Sequence, residues 1–135
     1  MITPHDIDTF ARTIYGEARG EDDEGRRLVA HVIMNRYRTA YRNKRSIAAV
    51  CQDPWQFSCW NANDPNRARL LTVDLGNRVF RGCFLVALET VDRKASPLPM
   101  ETRHYYADWI PEPIWARGKE PVAVHGHHRF YEGVA

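Results

Sequence analysis

Glu17 lies in the run Ile14-Tyr15-Gly16-Glu17-Ala18-Arg19-Gly20-Glu21, an acid between two glycines directly after an apolar helical stripe. A carboxylate in that place is backed by a core on one side and open on the other. Partial burial disfavours its ionised form and raises its pKa. A carboxylic acid that keeps its proton near neutral pH is what general acid catalysis of glycoside cleavage requires. The competing reading is an acid in a helix-terminating turn, paired with Arg19.

A second segment, Pro54-Trp55-Gln56-Phe57-Ser58-Cys59-Trp60-Asn61-Ala62-Asn63, interleaves aromatic rings with amides and a hydroxyl. Apolar sugar faces stack on such rings while the polar groups bind ring substituents. The alternative is that Trp55 and Phe57 anchor a loop to the core. A third group comprises His104-Tyr105-Tyr106, Trp109, Trp115 and the run His125-Gly126-His127-His128-Arg129-Phe130-Tyr131. Three histidines within four residues invite a zinc reading, with His104, His125 and His127 as the ligands. The spacing argues against it: there is no His-Glu-x-x-His, and on a strand His125 and His127 share a face while His128 points away. The basic run Arg36, Arg38, Arg42, Lys44, Arg45 reads as a solvated helix end, or as a weak attractor of an anionic polymer. Cys51 and Cys59 can pair across the aromatic loop or remain small buried thiols, and no local signature marks a Cys–His nucleophile.

Helical periodicity supplies the elements that must position these residues. Thr3 as cap, Pro4 at the first helical position and Asp6 completing a capping box start the first helix. Ile7, Phe10, Ala11 and Ile14 form its buried face, and Gly16 and Gly20 punctuate its end, which puts Glu17 at or just past the C-terminus. A second helix is expected from about Asp23 to Ala40, with Leu28, Val29, Val32 and Ile33 inward. A short one starts after Ser46 with Ile47 and Val50 inward and stops before Pro54, and residues 54–66 read as loop. Helices over about 66–73 and 77–92 follow, the latter placing Val79, Phe80, Cys83, Phe84, Ala87, Leu88 and Val91 on one side. From residue 95 onward prolines accumulate and the chain reads as irregular, with extended pieces at His104–Tyr106 and Val122–Val124. The sum is an α-dominated α+β fold in a single domain, 1–135.

The 135 residues are 44% hydrophobic and 27% charged, ordinary for a folded domain. The longest stretch free of Asp, Glu, Lys and Arg, Pro54–Asn63, is too short for a membrane span. A net charge of +2 does not imply nucleic-acid binding. Three cysteines exclude a disulfide-stapled miniprotein. The opening residues show no secretory signal.

Taken in order along the chain, these segments resemble the cell-wall hydrolase family of the spore cortex-lytic enzymes and related phage lysins. The resemblance rests on Tyr15-Gly16-Glu17-Ala18-Arg19-Gly20-Glu21, Glu24-Gly25, the helix ending Val32-Ile33-Met34-Asn35-Arg36, Gln56-Phe57-Ser58, His104-Tyr105-Tyr106, and Gly126-His127 with Phe130. It implies a lysozyme-like, mainly helical α+β domain with a small β element in the C-terminal third. Carried onto this chain, it implies that Glu17 is the catalytic acid and that the substrate is peptidoglycan glycan strands. The bond cut is the β-1,4 link between N-acetylmuramic acid and N-acetylglucosamine, by lytic transglycosylation or hydrolysis.

The family's cleft further implies that Phe57 and Ser58 line the site, that Tyr105 or Tyr106 binds sugar or the glutamate, and that Trp60 and Trp115 are sugar platforms. His127 is expected to lock the C-terminal segment over the core. Glu21, Asp22, Asp23 and Glu24 are expected to support the start of the second helix or to pair with Arg19, rather than to supply a second catalytic carboxylate. No metal, cofactor, nucleic acid or membrane insertion is implied, and a monomer is expected. With no signal visible and a Phe57-Ser58-Cys59-Trp60 loop nearer to phage-like members, the chain reads as a lysin made in the cytoplasm. It would be released through a holin or carried in a virion to act at the wall. Two rivals stand beside this reading: a zinc amidase or peptidase, and a non-catalytic glycan-binding module.

Overall fold

The computed structural model describes residues 1–93 and 95–135. Helix α1 (Pro4–Ala18) begins as the capping box predicts: Thr3 accepts from the Asp6 amide and Asp6 accepts from the Thr3 amide, 3.1 and 3.0 Å. Asp6 also accepts from the Ala48 amide at 2.9 Å, so one carboxylate holds the starts of two helices. Burial works to raise its pKa, but these backbone donors outweigh it and the net shift is downward.

Helix α1 is the hub of the helical layer. Phe10, Ala11 and Ile14 are fully buried, and around them pack α2 (Asp23–Arg38), α3 (Ile47–Cys51), α4 (Asn66–Thr72) and α5 (Arg78–Asp92). The stripe expected on α5 is rotated. Phe80, Cys83 and Ala87 are buried as predicted, but Val79 and Leu88 are exposed, and Val86 and Thr90 take the inward places. Thr90 is tolerated there because its hydroxyl donates to the Val86 carbonyl, 2.7 Å, one turn back. None of the described helices is long and apolar enough to cross a membrane.

Three antiparallel strands follow, β1 (Thr102–Ala107), β2 (Ala123–His125) and β3 (His128–Glu132), in the order β1-β3-β2. β1 contains the first of the two extended pieces predicted, and β2 overlaps the second, starting one residue later at Ala123. The expected extended pieces do not include the central strand β3, whose alternation of buried His128, exposed Arg129 and buried Phe130 breaks at Tyr131, which is also buried. Phe130 faces the helical core, whereas Tyr131 joins Tyr106, Ala116 and Val134 in a small second cluster on the other face. The β2–β3 hairpin turns through Gly126 and His127. Gly126 has φ +56°, the left-handed conformation that a two-residue hairpin needs at this position.

Glycine 16 is not the helix stop that the sequence implies. It lies inside α1, where a β-carbon would stand 2.7 Å from Cys59 Cβ and 2.8 Å from its Sγ. It is glycine because the aromatic loop crosses the helix there.

Candidate active site

Glu17 occupies the last turn of α1, which contains no basic residue. The Tyr105 hydroxyl donates to Oε1 of its carboxyl group at 2.6 Å, and the backbone N–H and thiol of Cys59 act with it to favour the ionised form. Burial is the largest influence on its pKa and outweighs these donors, so the shift is upward, with Asp64 adding like-charge repulsion. The partial negative charge of the α1 C-terminus acts in the same direction. Tyr105 is pushed well above 10, by burial first and then by Glu17, so it remains a neutral donor.

The neighbours of Glu17 are placed by the end of α2. Asn35 Nδ2 donates to the Pro99 and Thr102 carbonyls, 3.2 and 3.1 Å, fixing the entry to β1. The adjoining Arg36 donates to the Arg103 carbonyl at 2.8 Å and to Gln56 Oε1 at 3.1 Å, and its guanidinium lies 5.1 Å from the ring centres of both Phe57 and Tyr41. One buried cation therefore ties α2, β1 and the aromatic loop together, and this tie aims Tyr105 at Glu17. Arg36 is thus no part of a solvated helix end. Farther along that run, Arg42 and Lys44 both pair with Asp53.

A cleft of about 360 Å³ opens over this arrangement, at the small end of the range for ligand pockets. Glu17, Phe57, Ser58, Tyr105 and Tyr106 line it together, and Glu17 is the only carboxylate among its described lining residues. Trp60 and Trp115 do not line it. The Trp60 indole donates to Thr13 Oγ1 at 2.9 Å, and Trp115 packs against His104, Tyr106 and Tyr131 in the second cluster. The tryptophan at the cleft is Trp109, 67% exposed, its ring 5.1 Å from that of His127. Trp55 is 78% exposed at φ +67°, outside the cleft lining and not a core anchor. Arg36, Gln56, Asn66, Trp109 and His128 also line the cleft, beyond the residues that the sequence places there. Residue type alone does not separate Trp109 from Trp115, since both follow β1 in the same proline-rich stretch.

His128 is buried, whereas His127, the residue expected to lock the C-terminal segment, has an exposed side chain that meets Asp108. Glu21 accepts from the His127 amide at 3.0 Å, with its carboxylate 3.7 Å from His128 Nδ1. Asp22 caps α2 through the Gly25 amide. Arg19 pairs with neither Glu17 nor these acids; it bonds Asn66 Oδ1 and lies over the Tyr15 ring.

The three histidines of the zinc reading have separate partners: His104 Nε2 meets the Tyr41 hydroxyl, His125 Nε2 meets Asp22, and His127 Nδ1 meets Asp108. Burial, then Arg36 and Arg103, push the His104 pKa down to about 4. Among the described residues no cluster of His, Cys, Asp and Glu is gathered for a metal ion. All three cysteines are buried free thiols. Burial raises each, Cys51 to about 12 and Cys83 to about 11, which removes the thiolate a nucleophile needs.

Tyr105→Phe deletes a donor that favours ionised Glu17, so the pKa of Glu17 is expected to rise further. The readout is the carboxyl carbon followed by NMR through a pH titration. An unchanged or lower midpoint would show that the phenol does not hold the carboxylate.

The profile of the family described as Cell Wall Hydrolase matches residues 20–131. No curated protein matches the chain. Among solved structures, the catalytic domain of the germination-specific lytic transglycosylase SleB from Bacillus anthracis superposes with a TM-score of 0.70 at 23% identity, covering 95% of this chain and 94% of that one. The catalytic domain of the Bacillus cereus SleB protein superposes at 0.72 and 22% identity, covering 96% and 91%. At these identities the likeness is one of fold.

Proposed function

Because the chain belongs to the cell wall hydrolase family, we propose that it cuts peptidoglycan glycan strands between N-acetylmuramic acid and N-acetylglucosamine, with Glu17 as acid and then base. The observation that carries this reading is the pose of Glu17: a carboxyl with a raised pKa, at a cleft, oriented by Tyr105 at 2.6 Å and with no second carboxylate in the described lining. In its protonated form Glu17 donates to the glycosidic oxygen. The bond from the muramic C1 to that oxygen breaks, and the N-acetylglucosamine leaves with a 4-hydroxyl. Positive charge develops at C1. The carboxylate then takes the proton of the muramic C6 hydroxyl as O6 closes on C1, forming a 1,6-anhydro ring and restoring the acid. This route requires one carboxylate, whereas glycoside hydrolysis by retention or inversion requires two. The Bacillus anthracis neighbour is a lytic transglycosylase, which supports the same outcome.

A direct test is mass spectrometry of fragments released from purified cell-wall sacculi. Anhydro ends are lighter than hydrolysed ends by one water, about 18 Da. Hydrolysed ends alone would overturn the transglycosylase reading.

The second reading is a muramidase, which needs a second carboxylate; Asp64, which raises the Glu17 pKa but does not line the cleft, is the acid to test. Asp64→Asn distinguishes them. Under transglycosylation the rate is expected to change by less than about threefold; loss of the order of a missing catalytic group, about 100-fold or more, would assign Asp64 the second carboxylate role. A lysin role at the wall is part of the same proposal, supported by the phage-like Phe57-Ser58-Cys59-Trp60 loop.

A further inference from the structure

Tyr106 and Ile110 line a second cavity as well as the cleft, so the two adjoin. This cavity, about 410 Å³, lies against the strand face opposite the helices and is bordered by Asp108, Glu112, Lys119 and Arg129. Among the described residues, Lys119, Arg129 and Glu112 enter no ion pair, and Asp108 is engaged only by His127. Two cations and an acid thus border one concavity without collapsing onto one another.

Their positions are set by the backbone. Arg129 is in register opposite Tyr106 on the β1–β3 ladder. Glu112 stands between Pro111 and Pro113, whose rings fix the local φ. Lys119 follows Gly118, which turns the chain at φ +74°. Unpaired charges of both signs around one concavity suit a ligand that itself carries both signs.

The geometry points to this cavity as the seat of the peptide stem borne by the muramic sugar next to the cleft: a short peptide with free carboxylates and a free amine. Arg129 and Lys119 take the carboxylates and Glu112 takes the amine. The inference rests on the glycan-cleaving reading and extends it from the sugar chain to its side branch. Cleavage is then faster on strands that keep their peptides than on bare strands.

The experiment compares glycan strands with intact stems against the same strands stripped by an amidase, for the wild type and for the Arg129→Gln/Lys119→Gln double variant. Loss of two exposed charge contacts predicts about a tenfold fall in kcat/KM on stem-bearing strands and less than a twofold change on bare ones. Both residues are exposed, so an unchanged thermal midpoint accompanies the expected result. Equal losses on both substrates, or no loss on either, overturn the stem site while leaving glycan cleavage standing. If the wild type cleaves neither substrate, the glycan-cleaving reading itself falls and this site falls with it.

Discussion

Glu17→Gln is expected to reduce fragment release from sacculi by about 10²–10⁴-fold while making the protein more stable at neutral pH. Glutamine keeps the shape and can still accept from Tyr105, but it has no acidic proton for the leaving oxygen. The stability change follows from the direction of the pKa shift. Burial raises the Glu17 pKa above its ordinary 4.5, so between 4.5 and the raised value the folded protein binds more protons than the unfolded chain. In that window stability falls as pH rises, and above it the wild type carries the full cost of an ionised buried acid. The variant carries no such cost. Its midpoint in chemical denaturation is therefore higher than that of the wild type at pH 7, and the gap closes as pH falls to 4.5 and below. Retained activity would remove Glu17 from the mechanism. Lost activity with lowered stability at pH 7 would mean that the substitution acted through misfolding.

The same shift predicts how wild-type cleavage responds to pH. The first step needs the protonated acid, so the rate declines as pH rises through the raised Glu17 pKa. Tyr105 does not add a second limb near neutrality, because its own pKa is pushed up by burial and by the glutamate it serves.

Much of this site was legible from spacing. The capping box at Thr3 and Asp6, the apolar stripe through Ile14 and the acid just after it are enough to place Glu17 at the end of a packed helix. The aromatic loop and His104-Tyr105-Tyr106 were also recognisable as segments. Which side chain of each segment faces the cleft was not legible, because that depends on partners far away in sequence. Trp60 turns inward to a hydroxyl on Thr13, 47 residues earlier, and Trp115 is taken up by a cluster that exists only once β3 has formed. Arg36 looked like one cation in a basic run; its role comes from the Arg103 carbonyl, 67 residues away, and from Gln56 on the loop. His128 and the central strand were hidden for a related reason: β3 is only five residues long and its alternation breaks at Tyr131, which is buried in a cluster built from residues far away in sequence.

The second large effect is expected at Gly16, where the usual rule for glycine in a helix reverses. In a helix interior Gly→Ala ordinarily stabilises by about 0.5–1 kcal/mol, because alanine loses less backbone freedom on folding. At Gly16 the added β-carbon meets Cys59 Cβ at 2.7 Å, Cys59 Sγ at 2.8 Å and Leu70 Cδ1 at 3.1 Å. Rotating the cysteine moves its sulfur but not its β-carbon, so a change of rotamer cannot relieve the contact. Either the loop carrying Ser58–Trp60 lifts off α1 or the helix shifts. Overpacking of this kind costs about 1–3 kcal/mol, more than the helical gain. Cys59 also favours the ionised form of the Glu17 carboxylate, so lifting the loop disturbs the acid as well as the core. Gly16→Ala is therefore expected to lower the denaturation midpoint and to cut cleavage by more than the loss of folded protein accounts for. The cross-check is Gly16→Ala with Cys59→Gly, which removes the opposing β-carbon. Partial recovery of stability is expected there, without full recovery of activity, because the thiol is gone. A single Gly16→Ala variant as stable as the wild type would show that the loop does not press on α1 at this crossing.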